Sequence, residues 1–359
     1  MEEWKECKLG DFITLHRGYD LTKASIIPGP YPVVCSTSIM GYHNEYKVKS
    51  PGVIIGRSGT LGEVQYIEKD FWPHNTSLYV SDFKGNDPKF VKYFLQLFGT
   101  GNVGSGSAVP TLNRNHIQAL NIRIPSLPTQ QKIAAILSSL DDKIELNNKI
   151  NENLEQQAQT LYNNLFTNTD ENNSFELKEL SDVTFNLRER ITDNNTPVFS
   201  AVNTGNLQRS DDYFSKQVYS KDISKYILVK VGDFAYNPAR INIGSIGIND
   251  FDYDGCVSPV YVAFSVDKDY RSFFKYYFKS NNFKEETKLR ASGSVRQTLN
   301  YSDFAKIQIH YPPRKLAKKF EDFHKNIEGA KKKINKENEI LTSIRDTLLP
   351  KLMNGEIEV

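Results

Sequence analysis

The chain has 359 residues, with 45 lysines and arginines against 43 aspartates and glutamates, and its formal net charge is +2. At about 150 residues per domain this length predicts two domains, and the hydrophobic content is high enough to exclude global disorder. The near-neutral charge also excludes a polybasic, histone-like nucleic-acid binder, although it allows a binder that concentrates its charge locally.

The cysteines and the N-terminus indicate the compartment. Cys7, Cys35 and Cys256 are too few and too far apart for a disulfide framework or a zinc site with paired cysteines. The first residues contain neither the cationic region nor the apolar stretch of a signal peptide. No run approaches the roughly 18 apolar residues that a membrane helix needs. We therefore expect a cytoplasmic protein without membrane association.

Residues 1–128 are predicted to form a first domain in which strands predominate. Strand-like runs at 52–55, 77–80 and 122–124 alternate with turns rich in glycine, proline and asparagine, and residues 88–98 carry aromatic side chains at helical spacing. These features predict a mostly-β α+β domain with one short helix.

A long helix is predicted over residues 129–168, because the segment from Thr129 to Phe166 contains no glycine or proline. Apolar residues recur at alternating spacings of four and three, which is the heptad pattern of a helix that packs along another helix. Two asparagines occupy the centre of this seam and are expected to fix the register of the helices. The predicted contact residues are Ile133, Leu137, Leu140, Ile144, Asn147, Asn151, Leu154, Leu161 and Leu165.

The second half of the chain repeats the first. Residues 4–12 align with 175–183 and residues 106–113 with 293–300, and the offset grows gradually before it becomes constant along the helix. Such an ordered series of matches indicates a duplication. Residues 169–312 are therefore predicted to form a second domain, and residues 313–359 a second long helix with a C-terminal tail. The predicted contact residues of this helix are Phe320, Phe323, Ile327, Ile334, Leu341, Ile344 and Leu348.

Two arrangements suit the long helices: each could pack on its own domain, or the two could pair. Their equal length and equivalent positions favour pairing, and an antiparallel pair needs no long crossover connection. The expected fold class is α+β, with two mostly-β domains separated by a long antiparallel two-helix coiled coil and related by a pseudo-two-fold internal repeat. This arrangement places Val359 near the first domain.

Several local patterns imitate catalytic motifs. Residues 99–104 match the glycine-rich pattern of a dinucleotide site, but they do not lie between a strand and a helix. Asn237-Pro238 resembles part of the adenine methyltransferase motif, yet Ala239 and Arg240 replace the residues that would complete it. The histidines show no metal-ligand spacing. We therefore expect no catalytic residue, no metal site and no cofactor in this chain.

Together these features resemble the specificity subunit of type I DNA restriction–modification systems. The resemblance covers nearly the whole chain and rests on the opening Trp4…Leu9-Gly10-Asp11-Phe12, the strand and loop at 53–62, the turn at 104–113, the helix start at 128–133 and the second turn, which begins at Gly293. Two elements of the second half depart from the pattern. The helix start at 314–320 lacks the Gln-Gln-Lys-Ile form, and the strand and loop at 232–244 differ in sequence.

The resemblance implies two target-recognition domains, each of which reads one half of a split, asymmetric site in double-stranded DNA. The long helices would fix the spacing between the half-sites, which follows the helical repeat of DNA. It also implies two modification (methyltransferase) subunits and restriction subunits as partners, with S-adenosylmethionine, ATP and Mg bound there. The alternative is a duplicated scaffold for a ligand other than DNA, joined by the helices.

The candidate DNA contacts are polar side chains in loops at equivalent places of the two halves. Arginine and asparagine distinguish base edges, whereas serine and threonine contact phosphates. The candidates are Arg57, Ser58, Thr60, Ser105, Ser107 and Arg114 in the first half, and Asn237, Arg240, Arg290, Ser292 and Arg296 in the second.

Overall fold

Two units make up the chain in the computed structural model, which describes residues 4–57, 63–99, 114–167, 175–290 and 298–359. Unit 1 contains Met1–Lys149 and Ile334–Val359, and unit 2 contains Ile150–Lys333. The unit boundaries fall inside two helices of 40 residues each. The beginning of the first long helix and the end of the second therefore belong to unit 1.

Strands predominate in unit 1. The described strands are β1 (Lys5–Lys8), β2 (Thr14–Arg17), β3 (Pro28–Val34), β4 (Ile39–His43), β5 (Gly52–Gly56), β6 (Val64–Ile67), β7 (Trp72–Pro73), β8 (Ser77–Asp82) and β9 (Asn121–Ile124). The helices are α1 (Leu9–Phe12), α2 (Pro88–Gly99), α3 (Arg114–Gln118) and the beginning of α4 (Leu127–Phe166). The main sheet has the strand order β2-β8-β5-β6, a smaller sheet has the order β4-β3-β7, and β1 pairs with β9.

The main sheet of unit 1 is covered on both faces, and its strand β5 is accordingly an uninterrupted apolar run. All five residues of β5 are buried, as expected for a strand with a core on each side. Alternate side chains point to opposite faces, so Val53 and Ile55 contact the larger core, whereas Ile54 belongs to a smaller cluster with Phe71. In the larger core, the rings of Phe12 and Phe94 lie 5.2 Å apart, edge to face.

Unit 2 contains the second set of strands and helices. The described strands are β10 (Glu176–Glu179), β11 (Thr184–Leu187), β12 (Phe199–Ala201), β13 (Leu207–Arg209), β14 (Ile227–Val229), β15 (Phe234–Tyr236), β16 (Ile246–Ile248), β17 (Gly255–Val257), β18 (Val262–Val266) and β19 (Gln308–Tyr311). The helices are α5 (Leu180–Val183), α6 (Ser210–Tyr213), α7 (Arg271–Tyr277), α8 (Asn281–Arg290), α9 (Tyr301–Phe304) and most of α10 (Arg314–Met353).

The duplication is visible in the topology. The main sheet of unit 2 has the order β11-β18-β15-β16, which is equivalent to β2-β8-β5-β6 in unit 1, and β10 pairs with β19 as β1 pairs with β9. The same capping contact closes the first turn of each unit. The backbone N–H of Lys8 donates to Asp11 at 3.2 Å, and that of Glu179 donates to Asp182 at 3.0 Å. Both pairs lie in the aligned segments 4–12 and 175–183, so the sequence repeat corresponds to a structural repeat.

The start of α4 is tied to α2 by a buried glutamine. The side chain of Gln130 donates to Asn86 at 2.8 Å and accepts from the backbone N–H of Asp87 at 3.1 Å. The helix begins at Leu127, earlier than residue 129, because Pro128 is compatible with the first helical turn, where a backbone N–H has no intrahelical partner.

Unit 2 holds the start of its long helix differently. Arg314 of α10 forms ion pairs with Asp269 at 2.7 Å and with Asp267 at 3.4 Å, at the 3-10 turn that precedes α7. Glu321 of α10, which is buried, also accepts from the backbone N–H of Ser272 at 2.7 Å, so carboxylates rather than a glutamine connect the long helix to α7. These contacts are made without the Gln-Gln-Lys-Ile sequence of the first half.

The long helices are antiparallel within each unit. In unit 1, Asp141 of α4 pairs with Arg345 of α10, whereas Asn147, further along α4, bonds to the earlier residue Glu337 of α10. In unit 2, Glu155 pairs with Lys331, and the ring of Tyr162 lies 5.8 Å from that of Phe320. In both units, residues later in α4 therefore contact residues earlier in α10.

These contacts confirm the predicted fold class of two mostly-β α+β units with an antiparallel pair of long helices. The C-terminus also lies where the antiparallel arrangement places it, since the backbone oxygen of Val359 accepts a hydrogen bond from Lys132 in unit 1. Among the described helices, none is both long and apolar enough to cross a membrane.

Candidate nucleic-acid interface

In unit 1, the candidate Arg57 directly follows β5. Its backbone N–H donates to the carbonyl of Thr76 at 3.2 Å, so the loop leaves the sheet beside the segment that precedes β8. The side chain is half-buried. Ser58 and Thr60 lie outside the described residues, as do Ser105 and Ser107. Arg114 is exposed in the first turn of α3, which packs against α1 and β2.

The neighbours of Arg57 form a polar and aromatic surface that sequence reasoning missed. We call it the Arg57 surface, and it consists of Arg17, Tyr19, Arg57, Asn75 and Thr76. The backbone N–H of Tyr19 donates to Pro73 at 2.8 Å, Asn75 donates to Asp20, and Arg17 lies 3.5 Å from the same carboxylate. These residues come from separate segments, and only the paired strands bring them together.

A glycine and a histidine hold the two segments of the Arg57 surface in place. A Cβ atom on Gly18 would lie 2.1 Å from the carbonyl oxygen of His74, so this close approach of backbones requires glycine. The His74 ring bonds to the hydroxyl of Thr76 at 3.0 Å and to the carbonyl of Leu21 at 3.1 Å. Both ring nitrogens are thus used in fixing the segments, which leaves the histidine a positioning role.

In unit 2, Asn237 and Arg240 occupy the position after β15 that Arg57 occupies after β5. The Asn237 side chain accepts from the backbone N–H of Ala239 at 3.0 Å, and its carbonyl accepts from the N–H of Arg240 at 3.0 Å. The side chain of Asn237 therefore shapes the turn, and Arg240 is exposed on it.

The structure brings the two predicted loops of unit 2 together. The backbone N–H of Leu299 donates to the carbonyl of Pro238 at 3.1 Å, and α8 packs against the 3-10 turn Ile241–Ile243. Arg290 lies at the end of α8 and pairs with Glu286 at 3.0 Å. Ser292 and Arg296 lie outside the described residues. The turn that carries Arg240 and the helix that ends at Arg290 are therefore neighbours in unit 2.

A small cavity adjoins this surface, and its lysines were not among the predicted residues. The cavity has a volume of about 300 Å³ and is lined by Lys275, Lys279 and Lys284 together with Asn203 and Thr204. Lys275 is almost fully buried and pairs with Asp250 at 2.6 Å. These lysines follow aromatic residues at helical spacing, a pattern that indicates a core helix. The only local sign of the cavity was the i, i+4 spacing of Lys275 and Lys279.

The predicted helix contacts lie at various depths. Asn147 is only 1% exposed and donates to Glu337 and Asn338, each at 2.8 Å. At the other extreme, Ile344 is 42% exposed. Also buried are Ile133, Leu137, Phe320 and Ile327; half-buried are Leu140, Ile144, Asn151, Leu154, Leu161, Leu165, Phe323, Ile334, Leu341 and Leu348. Tyr162, which was not predicted, is buried against Phe320.

A buried histidine lies where α10 meets α7 in unit 2. His324 is 4% exposed, and its Nδ1 lies 3.0 Å from the hydroxyl of Ser272. The charged groups around it are Lys275 of α7, Asp250, and Glu321 and Glu328 of α10. Burial and then the nearby Lys275 charge lower the pKa of His324 to about 4. The folded protein therefore favours the neutral imidazole.

We expect the free energy of unfolding to fall as the pH drops from about 6.5 to about 4, because the unfolded chain protonates His324 before the folded chain does. At 1.36 kcal/mol per pKa unit, the loss reaches up to about 3 kcal/mol. Urea unfolding at a series of pH values would measure it. His324→Gln should flatten this part of the profile, whereas His310→Gln, at an exposed position, should leave it unchanged. If the free energy of unfolding of wild type and of His324→Gln changed in parallel with pH, His324 would not be the source of the loss.

Neither unit shows a metal centre among its described residues, because no three histidine, cysteine or acidic side chains converge there. The chemistry that the arrangement offers is hydrogen bonding and charge. Each unit presents an arginine after the equivalent central strand, with further donors beside it. This combination suits recognition of base edges and phosphates.

Comparison with known proteins agrees with this geometry. Residues 1–156 match the family described as type I restriction modification DNA specificity domain. Among curated relatives, the type I restriction enzyme EcoprrI specificity subunit of Escherichia coli is 30% identical over 145 residues, which cover 39% of this chain and 36% of that protein. The MjaIX specificity subunit of Methanocaldococcus jannaschii is 28% identical over 293 residues, which cover 72% of this chain and 65% of the relative.

A third relative, the HindI specificity subunit of Haemophilus influenzae, is 46% identical over 61 residues, which cover 17% of this chain and 13% of its own length. The chain thus spans less than two thirds of each of these relatives. Among solved structures, the type I restriction–modification S subunit from M. genitalium superposes with a TM-score of 0.63 at 17% identity, covering 98% of this chain and 96% of that one. The fold and the relatives agree: residues 1–156 match the type I specificity-domain family, and the chain is similar to type I restriction–modification specificity subunits.

Proposed function

We propose that the chain is the non-catalytic subunit that gives a type I restriction–modification complex its DNA specificity. Each unit reads one half of a bipartite, asymmetric site in double-stranded DNA, and the two long helices set the spacing between the half-sites. The observation that carries the proposal is the placement of Arg57 and of Arg240 after the central strand of two topologically equivalent sheets.

The partners in this proposal are two modification subunits and the restriction subunits. Methylation of adenine with S-adenosylmethionine, and ATP- and Mg-dependent translocation and cleavage, belong to those chains in the cytoplasm. The formal net charge of +2 supports a complex in which the partner subunits contribute to DNA binding. A reader with so little excess positive charge gains much of its affinity for the duplex from its partners.

Reconstitution with the modification subunits tests the proposal. The complex should enrich one split sequence from a random pool of duplexes at physiological salt, and methylation mapping should place modified adenines within it. Equal binding of random and enriched duplexes would contradict the proposal.

Arginine variants of the reconstituted complex assign the half-sites. Arg57→Ala should relax the preference in one half-site and Arg240→Ala in the other, each by about 1–3 kcal/mol at the affected base pair. The measurement is competition binding against duplexes with single base-pair changes. Arg123→Ala, at an exposed position on β9, serves as the control for loss of a positive charge. Relaxation of the same half-site by both variants would contradict the assignment of one half-site to each unit.

A further inference from the structure

The cavity beside Arg240 contains a lysine ammonium that forms no ion pair within 4 Å with the described residues. We call it the lysine cavity, and it is formed by the 203–205 turn, Gly244, β16, the end of α7 and Lys284 of α8. Of its three lysines, Lys275 is paired with Asp250, and Lys284 is exposed at the rim. Lys279 differs from both.

The ammonium of Lys279 has neither an ion pair nor a hydrogen bond with any residue that the structure describes. Its nearest favourable contact is the ring of Tyr276, whose centroid lies 5.6 Å away. Burial and then the charge of Lys275 lower the pKa of Lys279. Holding a cation in such a place costs folding free energy, which a structural lysine would avoid by pairing or by extending into water.

The backbone around Lys279 is shaped to accommodate its side chain. Gly205 has a φ of +84°, and a Cβ atom there would lie 2.0 Å from Cε of Lys279. The glycine therefore provides both the left-handed turn and the space for the lysine stem. Two further glycines, Gly244 and Gly247, also line the cavity.

We propose that the lysine cavity binds a phosphate group of the DNA backbone next to the bases contacted by Arg240. The proposal rests on the function proposed above. Gly244 lies at the end of the turn that begins at Arg240, so a duplex against Arg240 has its backbone within reach of the cavity. Lysine ammoniums act as point charges toward phosphate, and the side-chain amide of Asn203, which also lines the cavity, adds a neutral donor. The site positions the DNA and carries no sequence information.

Lys279→Met tests the proposal in the complex reconstituted with modification subunits. Affinity should fall about tenfold for every duplex, and the slope of log K against log salt should become less negative by about 0.9, as for the loss of one phosphate contact. The half-site preferences should stay the same. The melting temperature of the variant should equal or exceed that of wild type, because the lost ammonium was partly buried without an ion pair. Lys279→Gln should show the same loss of affinity and the same change of salt slope as Lys279→Met.

Lys315→Met is the matched control, since Lys315 is exposed in the first turn of α10 and lines neither described cavity of unit 2. Unchanged affinity and salt slope in Lys279→Met would overturn the proposal, as would a loss confined to particular base pairs. If Lys279→Met lost binding of inorganic phosphate or ATP but bound DNA as wild type does, the cavity would be a small-anion site, and the proposal would also be overturned. A wild-type complex without sequence preference would contradict the proposed function alone, because the salt slope of Lys279→Met is measured on any duplex.

Discussion

Asp141→Ala is expected to lower the free energy of unfolding by about 3–5 kcal/mol, the usual cost of removing one partner from a largely buried ion pair. The Asp141 carboxylate accepts from Lys92 at 2.5 Å, from Tyr93 at 2.7 Å and from Arg345 at 2.9 Å. It thereby joins α2, α4 and α10 within unit 1. Without it, two neighbouring cations remain without their shared acceptor and repel each other.

The pH dependence of this contact has a definite sign. Burial by itself would raise the pKa of Asp141, but the bonds from Lys92, Arg345 and Tyr93 outweigh burial and hold the pKa below its usual value. The stabilisation is therefore complete above the pKa of the unfolded chain, and it is lost as the pH falls through the folded pKa. The destabilisation caused by Asp141→Ala should accordingly be largest near neutral pH.

Chemical denaturation monitored by circular dichroism measures the effect of Asp141→Ala. The adjacent Asp142 is exposed, so Asp142→Ala is a matched control that should change the free energy of unfolding by less than about 0.5 kcal/mol. A second change, Lys92→Met, in the Asp141→Ala background should restore part of the loss, because it removes the cation that had paired with Asp141, whereas Arg345 keeps its ion pair with Asp346 at 2.8 Å. Equal losses for Asp141→Ala and Asp142→Ala would contradict the role assigned to Asp141.

The Asp141 contact has a counterpart in unit 2. There Tyr276 donates to Glu155 at 3.1 Å, and Lys331 of α10 pairs with the same carboxylate at 2.7 Å. Tyr93 and Tyr276 occupy aligned positions of the repeat, whereas the two carboxylates lie at different places on α4. The repeat has therefore kept the tyrosine, but the helix that supplies the carboxylate follows the domain of Tyr93 and precedes the domain of Tyr276.

Local patterns were sufficient to predict the architecture. The heptad seam and the absence of proline or glycine predicted α4, and apolar runs predicted β5 and β8, because these signals depend only on neighbours in sequence. The polar seam position Asn147 was also readable, since an asparagine in an apolar seam stands out. The repeat then placed equivalent elements in both halves.

Side chains that act through distant partners could not be predicted in the same way. Gln130 reads as an ordinary residue of a helix start, and only the packing of α2 makes it a buried connection. Lys279 likewise acquires its significance from Gly205, which lies far away in sequence and approaches only when the sheet forms. The Arg57 surface depends on the pairing of β2 with β8. The pairing of strands that are distant in sequence brings these side chains together, and local sequence patterns do not specify that pairing.

One additional heptad in each long helix is expected to lengthen the DNA spacer by about three base pairs. Seven helical residues add about 10.5 Å, and DNA rises about 3.4 Å per base pair. The insertions belong between Lys149 and Ile150 in α4 and between Lys333 and Ile334 in α10, at the boundaries of the two units along the chain. A whole heptad keeps the seam in phase. Selection of bound duplexes from a pool with varied spacers would show the change, while both half-site sequences remain as in wild type.

The twist of DNA makes the spacer prediction more specific. A heptad is nearly two full helical turns, so it hardly rotates one end of the helix pair against the other, whereas three base pairs rotate a half-site by about 100°. The one-heptad variant should therefore bind its longer spacer more weakly than wild type binds its own. Three heptads add about 31 Å, close to the ~34–36 Å of one DNA turn, and should restore affinity with a spacer about one turn longer. Replacing a heptad by another of equal length should leave the spacer unchanged. A constant spacer in all insertion variants would exclude the long helices as the element that sets it.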